Sequence, residues 1–356
     1  MRRRPLLLAL PALALAGPGA TLSGPAHALP PQALRFPRDH GAHPELRTEW
    51  WYVTGSVNAG EREFGFQVTF FRTRVDATQD MKSAFAAKQL IFAHAAVTDV
   101  QGRRLRHDQR IAREGFGVAS ASRTDTALVL RDWSLAREGD GYRTRIEAAD
   151  FALDLRCAPT QPLLLQGKDG LSRKGPQERQ ASYYYSQPQL AVSGTLRLQG
   201  QPFDVRGKAW LDHEWSEEVL HPQAQGWDWI GMNLDDGSAL TAFQLRTAAG
   251  APLWDGGSFR SPQGGLYTFS PGEVQFRPQR RWKSPLSQAS YPVEWMVRTP
   301  ADFYTVRAVI DDQELDSRAS TGAIYWEGLS RLIDSNGRQV GQGYLEMTGY
   351  AQRLRL

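Results

Sequence analysis

The sequence predicts an all-β protein of sandwich or barrel type, and three observations carry that expectation. Period-two alternation recurs: EFGFQVTFF sets Phe64, Phe66, Val68 and Phe70 on one face, and PVEWMV does the same for Val293, Trp295 and Val297, as antiparallel strands require. Clear amphipathic helices are scarce, and the alternating stretches are broken by Gly, Pro, Asn and Asp. The chain also repeats itself. WWYVTGSVNAGEREFGFQV from Trp50 and WDWIGMNLDDGSALTAFQL from Trp227 align without a gap at an offset of 177 residues. Trp50 then meets Trp227, Tyr52 meets Trp229, Val53 meets Ile230, Gly60 meets Gly237, Phe66 meets Phe243, and Gln67 meets Gln244. The shared pattern is a hairpin whose glycine, Gly60 or Gly237, supplies the positive φ of the turn. Two related β-domains follow, with a boundary near Leu220.

Taken in order, the chain opens MRRRPLLLALPALALAGPGATLSGPAHA: three arginines, a short apolar run from Leu6 to Ala16 and small residues up to Ala28. This reads as a secretory signal, residues 1–28, cleaved after Ala28, with paired arginines compatible with a twin-arginine route. It leaves domains at 29–220 and 221–356. No later stretch approaches the roughly eighteen apolar residues of a membrane span, so the exported chain is expected to be soluble. Cys157 is the only cysteine, which excludes an intrachain disulfide and a thiolate metal cluster. The chain has 42 basic residues; without the three leader arginines, 39 stand against 38 acidic ones. No block of like charge appears, so nucleic acid is not expected as a partner, while a peripheral contact with a membrane and the oligomeric state stay open.

Asp76 to Gln89 is the one stretch with room for a short helix. Gln166 to Gln180, QGKDGLSRKGPQERQ, is charged and without periodicity; it reads as a solvated loop or as a flap over a ligand opening. Tyr183, Tyr184 and Tyr185 follow it and would form the patch such a flap covers.

The segment GKAWLDHEWSEEVLHPQAQGWDW packs Asp212, His213 and Glu214 among Trp210, Trp215, Trp227 and Trp229. Burying such groups is costly unless they are paired, so the cluster is either a neutralised clamp or a site with tuned acidity. On a strand, Trp210, Asp212 and Glu214 point to one side and Leu211, His213 and Trp215 to the other, and Asp212 would pair with an arginine such as Arg206 or Arg246. In a catalytic reading Asp212 or Asp228 is a protonated acid, His213 relays a proton or holds water, and Trp215, Trp227 and Trp229 form a wall that tolerates positive charge. His40 and His43 with Glu45 and Glu49 raise a metal alternative, but Pro44 disfavours the helix that would gather them, and no metal is expected. His94 shares a strand face with Leu90 and Phe92, as a core histidine or as a pocket residue. There is no G-x-S-x-G elbow, and GQG near Gly341 precedes a strand pattern where a dinucleotide fingerprint would need a helix.

HPELRTEWWYVTG, GKDGLSRKG, SYYYSQPQL, GKAWLDHEWS, GWDWIGMNLDDG and the closing YWEG…GQGYLEMTGY resemble a lipocalin-like family of bacterial exported proteins. That family includes carotenoid 1,2-hydratases and attachment-associated proteins, often labelled predicted secreted hydrolases. The resemblance runs from Phe36 to Leu356. It implies two consecutive lipocalin-like antiparallel β-barrel domains and, in the hydratase branch, cofactor-free addition of water to an acyclic carotenoid. His213 and Trp215 match that branch's D-H-x-W segment; its Tyr-x-Asp proton donor has no counterpart, because the corresponding strand reads LTAFQLR from Leu240. The hydrolase label finds no visible nucleophile.

The leading expectation is a periplasmic or extracellular protein that binds a small apolar, isoprenoid- or acyl-like ligand at or between its barrels. The expected contacts are Trp50, Trp51, Tyr52, His94, Tyr183, Tyr184, Trp227 and Trp229. The rival is a hydratase-like lyase centred on His213 and Trp215 with Asp212 or Asp228 as acid; an adhesion role draws only on the attachment branch.

Overall fold

The computed structural model describes residues 28–218 and 220–354, so the leader lies outside the described residues apart from Ala28. The chain is built of antiparallel strands, and the helical segments among the described residues are two single 3-10 turns, Arg38–His40 and Asp76–Thr78. The second corrects the helix expected over Asp76 to Gln89. Met81 and Phe85 are exposed, so that stretch has no apolar face to pack and no tertiary support for a helix.

In the first sheet, Thr48–Ala59, Arg62–Arg74, Gln89–Asp99 and Arg104–Arg113 form a meander. Thr48–Ala59 also pairs with Gln201–Glu218, which pairs with Ala181–Leu198; from there the sheet runs back through Phe151–Ala158, Gly141–Glu147, Trp133–Glu138, Ala127–Leu130 and Ala119–Ala121. The sheet curls until Gln89–Asp99 and Arg104–Arg113 touch Ala119–Ala121 and Ala127–Leu130, which nearly closes a barrel. Phe64, Phe66, Val68 and Phe70 fill its interior, the face their alternation assigns them.

The second sheet centres on Gly226–Leu234, paired on one side with Ala239–Arg246 and Pro252–Arg260 and on the other with Gln339–Met347 and Ala323–Ile333. It continues through Phe303–Ala308 and Glu294–Arg298 to Gln275–Pro278. The two repeated hairpins occupy equivalent places, and Gly60 (φ 61°) and Gly237 (φ 93°) both adopt the left-handed backbone of their turns.

Gln166 to Gln180 is neither a solvated loop nor a free flap. Leu164–Leu165 and Leu171–Arg173 pair with Ala181–Leu198, and Gln166, Lys174 and Gln180 are buried. The segment also ties the sheets together, since Gln166 Oε1 accepts from Ser258 (2.8 Å) and the Arg173 carbonyl from the Trp254 indole (3.1 Å). Elsewhere the sheets meet through Tyr52, Trp210, Trp229, Phe243, Leu329 and Tyr344. Gly65 marks one close approach. A Cβ there would lie 2.7 Å from the Tyr344 hydroxyl and 3.0 Å from the Leu329 Cβ.

Candidate functional site

Strand Gln201–Glu218 divides the chemistry of the molecule. Its pleat sends His213 and Trp215 into the first barrel and Asp212 and Glu214 toward the second sheet, as alternation requires. Two polar clusters result, one on each face.

The inner cluster is centred on Glu49. Its Oε1 accepts from His43 Nδ1 (2.8 Å) and His213 Nε2 (2.9 Å), and its Oε2 from Arg72 Nε (2.8 Å) and the His43 amide (2.8 Å). His213 Nδ1 faces the Tyr185 hydroxyl at 3.2 Å, and that hydroxyl reaches His40 Nδ1 at 2.7 Å. His43 lies flat on Trp215 (4.0 Å between ring centres, 2° between planes), and Trp51 stacks on His213 at 4.5 Å. Burial alone would raise the Glu49 carboxyl, but the hydrogen bonds from His213 and His43 outweigh it and hold it well below the usual range. Burial also lowers His213 to about 4, against the pull of Glu49, so the ring donates to Glu49 as a neutral imidazole.

The ligand atoms of His43, Glu49 and His213 lie within 4.8 Å of one another, a spacing that could hold a cation. Each is already engaged in a hydrogen bond within the trio, and the Arg72 guanidinium supplies the positive charge Glu49 needs. This is a clamp closed upon itself. His40 bonds Tyr185 and Glu45 is exposed, so neither stands in the trio of His43, Glu49 and His213.

The outer cluster lines a cavity of about 610 Å³ between the two sheets. Its walls are mainly apolar, and their aromatic residues include Trp50 and Tyr52 from the first hairpin, Trp227 and Trp229 from the repeat, and Phe243 and Tyr184. Positions paired by the repeat thus face one space from opposite sheets. Asp212 Oδ1 accepts from the Ser186 hydroxyl (2.5 Å) and the Trp210 indole (2.7 Å). Burial raises Asp212 to about 7, against the hydrogen bonds from Ser186, Trp210 and Tyr184. Lys174 Nζ bonds Glu214 at 2.9 Å and sits over the rings of Tyr184 (4.5 Å) and Phe243 (4.6 Å). His94 bridges the sheets, with Nδ1 at 2.8 Å from the Tyr325 hydroxyl and Nε2 at 2.8 Å from Ser320 Oγ; burial lowers it to about 3. It lines the cavity with both nitrogens engaged.

The second sheet contributes Glu327 and Glu346, directly opposite each other on adjacent strands. Burial raises both, Glu346 to about 7 and Glu327 well above its usual range. Sequence reasoning missed both glutamates, Tyr325 and Lys174. The available signal was the Tyr-x-Glu spacing in YWEG and in YLEM, which puts tyrosine and acid on one face of each strand.

The structure therefore separates the residues expected to act together. Trp50, Tyr52, His94, Tyr184, Asp212, Trp227 and Trp229 line the cavity. His213, Trp215 and Trp51 lie in the inner clamp, and Tyr183 points away to the carbonyl of Pro30 (2.5 Å). Asp228 is buried inside the second barrel, bonded to Arg246 (3.0 Å), Gln244 (2.8 Å) and the Tyr350 hydroxyl (2.9 Å). The arginine expected for Asp212 is thus taken by Asp228, and Arg206 is exposed.

Fold and site together define a lipocalin-like all-β protein with an acid-lined cavity between its two large sheets. The AttH-like family profile matches residues 27–350, and the chain belongs to that family. It is similar to the crystal structure of a protein described as AttH from Nitrosomonas europaea: 49% identity over 91% of this chain and 99% of that one, TM-score 0.85. Kievitone hydratase from Nectria haematococca shares the fold at 12% identity, with 90% and 94% of the two chains covered and TM-score 0.70. CghA does so at 11% identity, with 86% and 89% covered and TM-score 0.53. No curated protein matches in sequence.

Proposed function

We propose that this protein is exported to the cell envelope and there binds an apolar, isoprenoid- or acyl-like ligand in the cavity between its two sheets. The carrying observation is the cavity itself: about 610 Å³, within the range of small-molecule sites, with aromatic walls drawn from both halves of the chain. Incubating the mature protein with a lipid extract of its host, re-isolating it and analysing the retained compounds by mass spectrometry tests this. A discrete apolar compound is expected with wild type and should be largely lost with Trp229→Ala. Retention of nothing, or of the same compound by both proteins, would count against the reading.

A second reading, a cofactor-free hydratase-like lyase, is favoured by Asp212, which burial keeps protonated up to about pH 7 beside the ring of Tyr184. Alkene hydration needs such an acid, a wall that tolerates a carbocation and one placed water. The acid in this reading is Asp212, since His213 is sealed in the inner clamp. Products heavier by one water with wild type but not with Asp212→Asn would establish it.

A further inference from the structure

We infer that the part of the cavity wall formed by Glu327 and Glu346 is built for positive charge: the ligand carries a protonated nitrogen at its polar end and seats it against these two carboxyls. The inference rests on the apolar-ligand reading and adds the class of head group to it.

The first ground is register. Glu327 and Glu346 are cross-strand partners whose carboxyls both reach the cavity, and like charges directly opposite each other on a sheet repel. Asp212 and Glu214 lie close enough to reinforce that repulsion at Glu346. The groups around the pair are the hydroxyls of Tyr52, Tyr325 and Tyr344, the Trp227 indole beside Glu346, and His94, held neutral against Tyr325. The buried cation of the cavity, Lys174, is paired with Glu214.

The second ground is an unfilled hydrogen-bonding site. Glu327 is 2% exposed, and its Oε1 makes no hydrogen bond among the described residues; the nearby Tyr52 hydroxyl, also on the cavity wall, is its facing donor and does not close the bond. Buried acceptors without donors are rare in folded proteins, and this one opens on a space that admits a ligand.

The third ground is the wall. Trp50, Trp227 and Trp229 offer ring faces whose quadrupoles attract a cation. A hydrocarbon tail would use these rings but offer Glu327 Oε1 no donor, and a carboxylate head would offer it none either. An alkylammonium donates to both glutamates, lets the pair ionise without repulsion and packs on the indoles. Burial and mutual repulsion raise both carboxyls, so a cation seated between them draws a proton off the pair near neutral pH.

The test compares decylamine, decanol and decanoate, titrated calorimetrically into the mature protein and its Glu327→Gln and Glu346→Gln variants. At pH 8 the amine is expected to bind on the order of tenfold tighter than the alcohol, as suits a charge-assisted hydrogen bond. That advantage should shrink as pH falls below 7, and proton release should appear as a dependence on buffer ionisation heat. Either glutamine variant should bring amine and alcohol close together; because Glu→Gln preserves shape and puts a neutral amide in place of a raised carboxyl, near-wild-type melting is expected to accompany it. Equal binding of amine and alcohol by wild type, or tightest binding of decanoate, would overturn the charge inference while leaving the apolar-ligand reading intact. Binding of none of the three would overturn both.

Discussion

Glu49 and Asp212 are both buried carboxylates, contributed by neighbouring strands of one sheet, and their acidities are driven in opposite directions. Glu49 meets two imidazole N–H groups and a guanidinium, and stays ionised. Asp212 meets a hydroxyl and an indole, neutral donors that cannot offset burial, and keeps its proton up to about pH 7. Depth alone does not separate the clamp from the cavity; the number and kind of hydrogen-bond donors do. The clamp is also complete in itself, whereas the cavity leaves an acceptor on Glu327 open.

The sharpest way to break this contrast is Glu49→Ala. It strands Arg72, 1% exposed, together with two histidines, and removal of one partner of a buried pair costs about 3–5 kcal/mol. Chemical denaturation should report a loss of that order, while Asp212→Asn, which keeps an acceptor for Ser186 and Trp210, should lose far less. Equal losses would mean that the two clusters do the same job.

The pH dependence of stability separates them next. Glu49 titrates below its unfolded range, so its contribution is present above about pH 4.5 and is lost on acidification. His213, lowered from 6.5 to about 4, acts in the same sense: the unfolded chain binds the extra proton, and stability falls as pH drops from 6.5 toward 4. Asp212 has the opposite sign. Raised from 3.8 to about 7, it favours the folded state at low pH and loses that contribution as pH rises from 4 to 7. Melting curves of Asp212→Asn against wild type should therefore diverge in the variant's favour as pH climbs from 4 to 8, and parallel curves would refute the assignment.

The smallest effect is expected at the contact between the sheets. Gly65→Ala places a methyl group 2.7 Å from the Tyr344 hydroxyl, an overpacking that costs about 1–3 kcal/mol, and should perturb ligand affinity although the residue does not line the cavity. Unaltered affinity would show that the sheets adjust independently.

Much of the fold was legible because a strand writes its burial into every second residue. Phe64, Phe66, Val68 and Phe70 could be assigned to one face from spacing alone, and Asp212 and His213 to opposite faces. The inner clamp was not legible: His213 and Glu49 stand 164 residues apart, and only the pairing of their strands brings them together. Lys174 was hidden by composition, since a lysine in a charged segment reads as solvated until a second sheet covers it. Asp228 misled because the aromatic neighbours that suggested a site are shared with a residue whose partners, Arg246 and Tyr350, come from distant strands.

Gly65 has a further consequence. Two stiff barrels can hold a void between them only if something fixes their separation, and here one of the spacers is a side chain reduced to hydrogen, against which Tyr344 abuts. The capacity of the cavity is thus set partly from outside its own walls, like the opening of a hinge set by a shim at its edge. Sequence changes on that outer seam would alter the size of the cavity while leaving every residue of its walls in place.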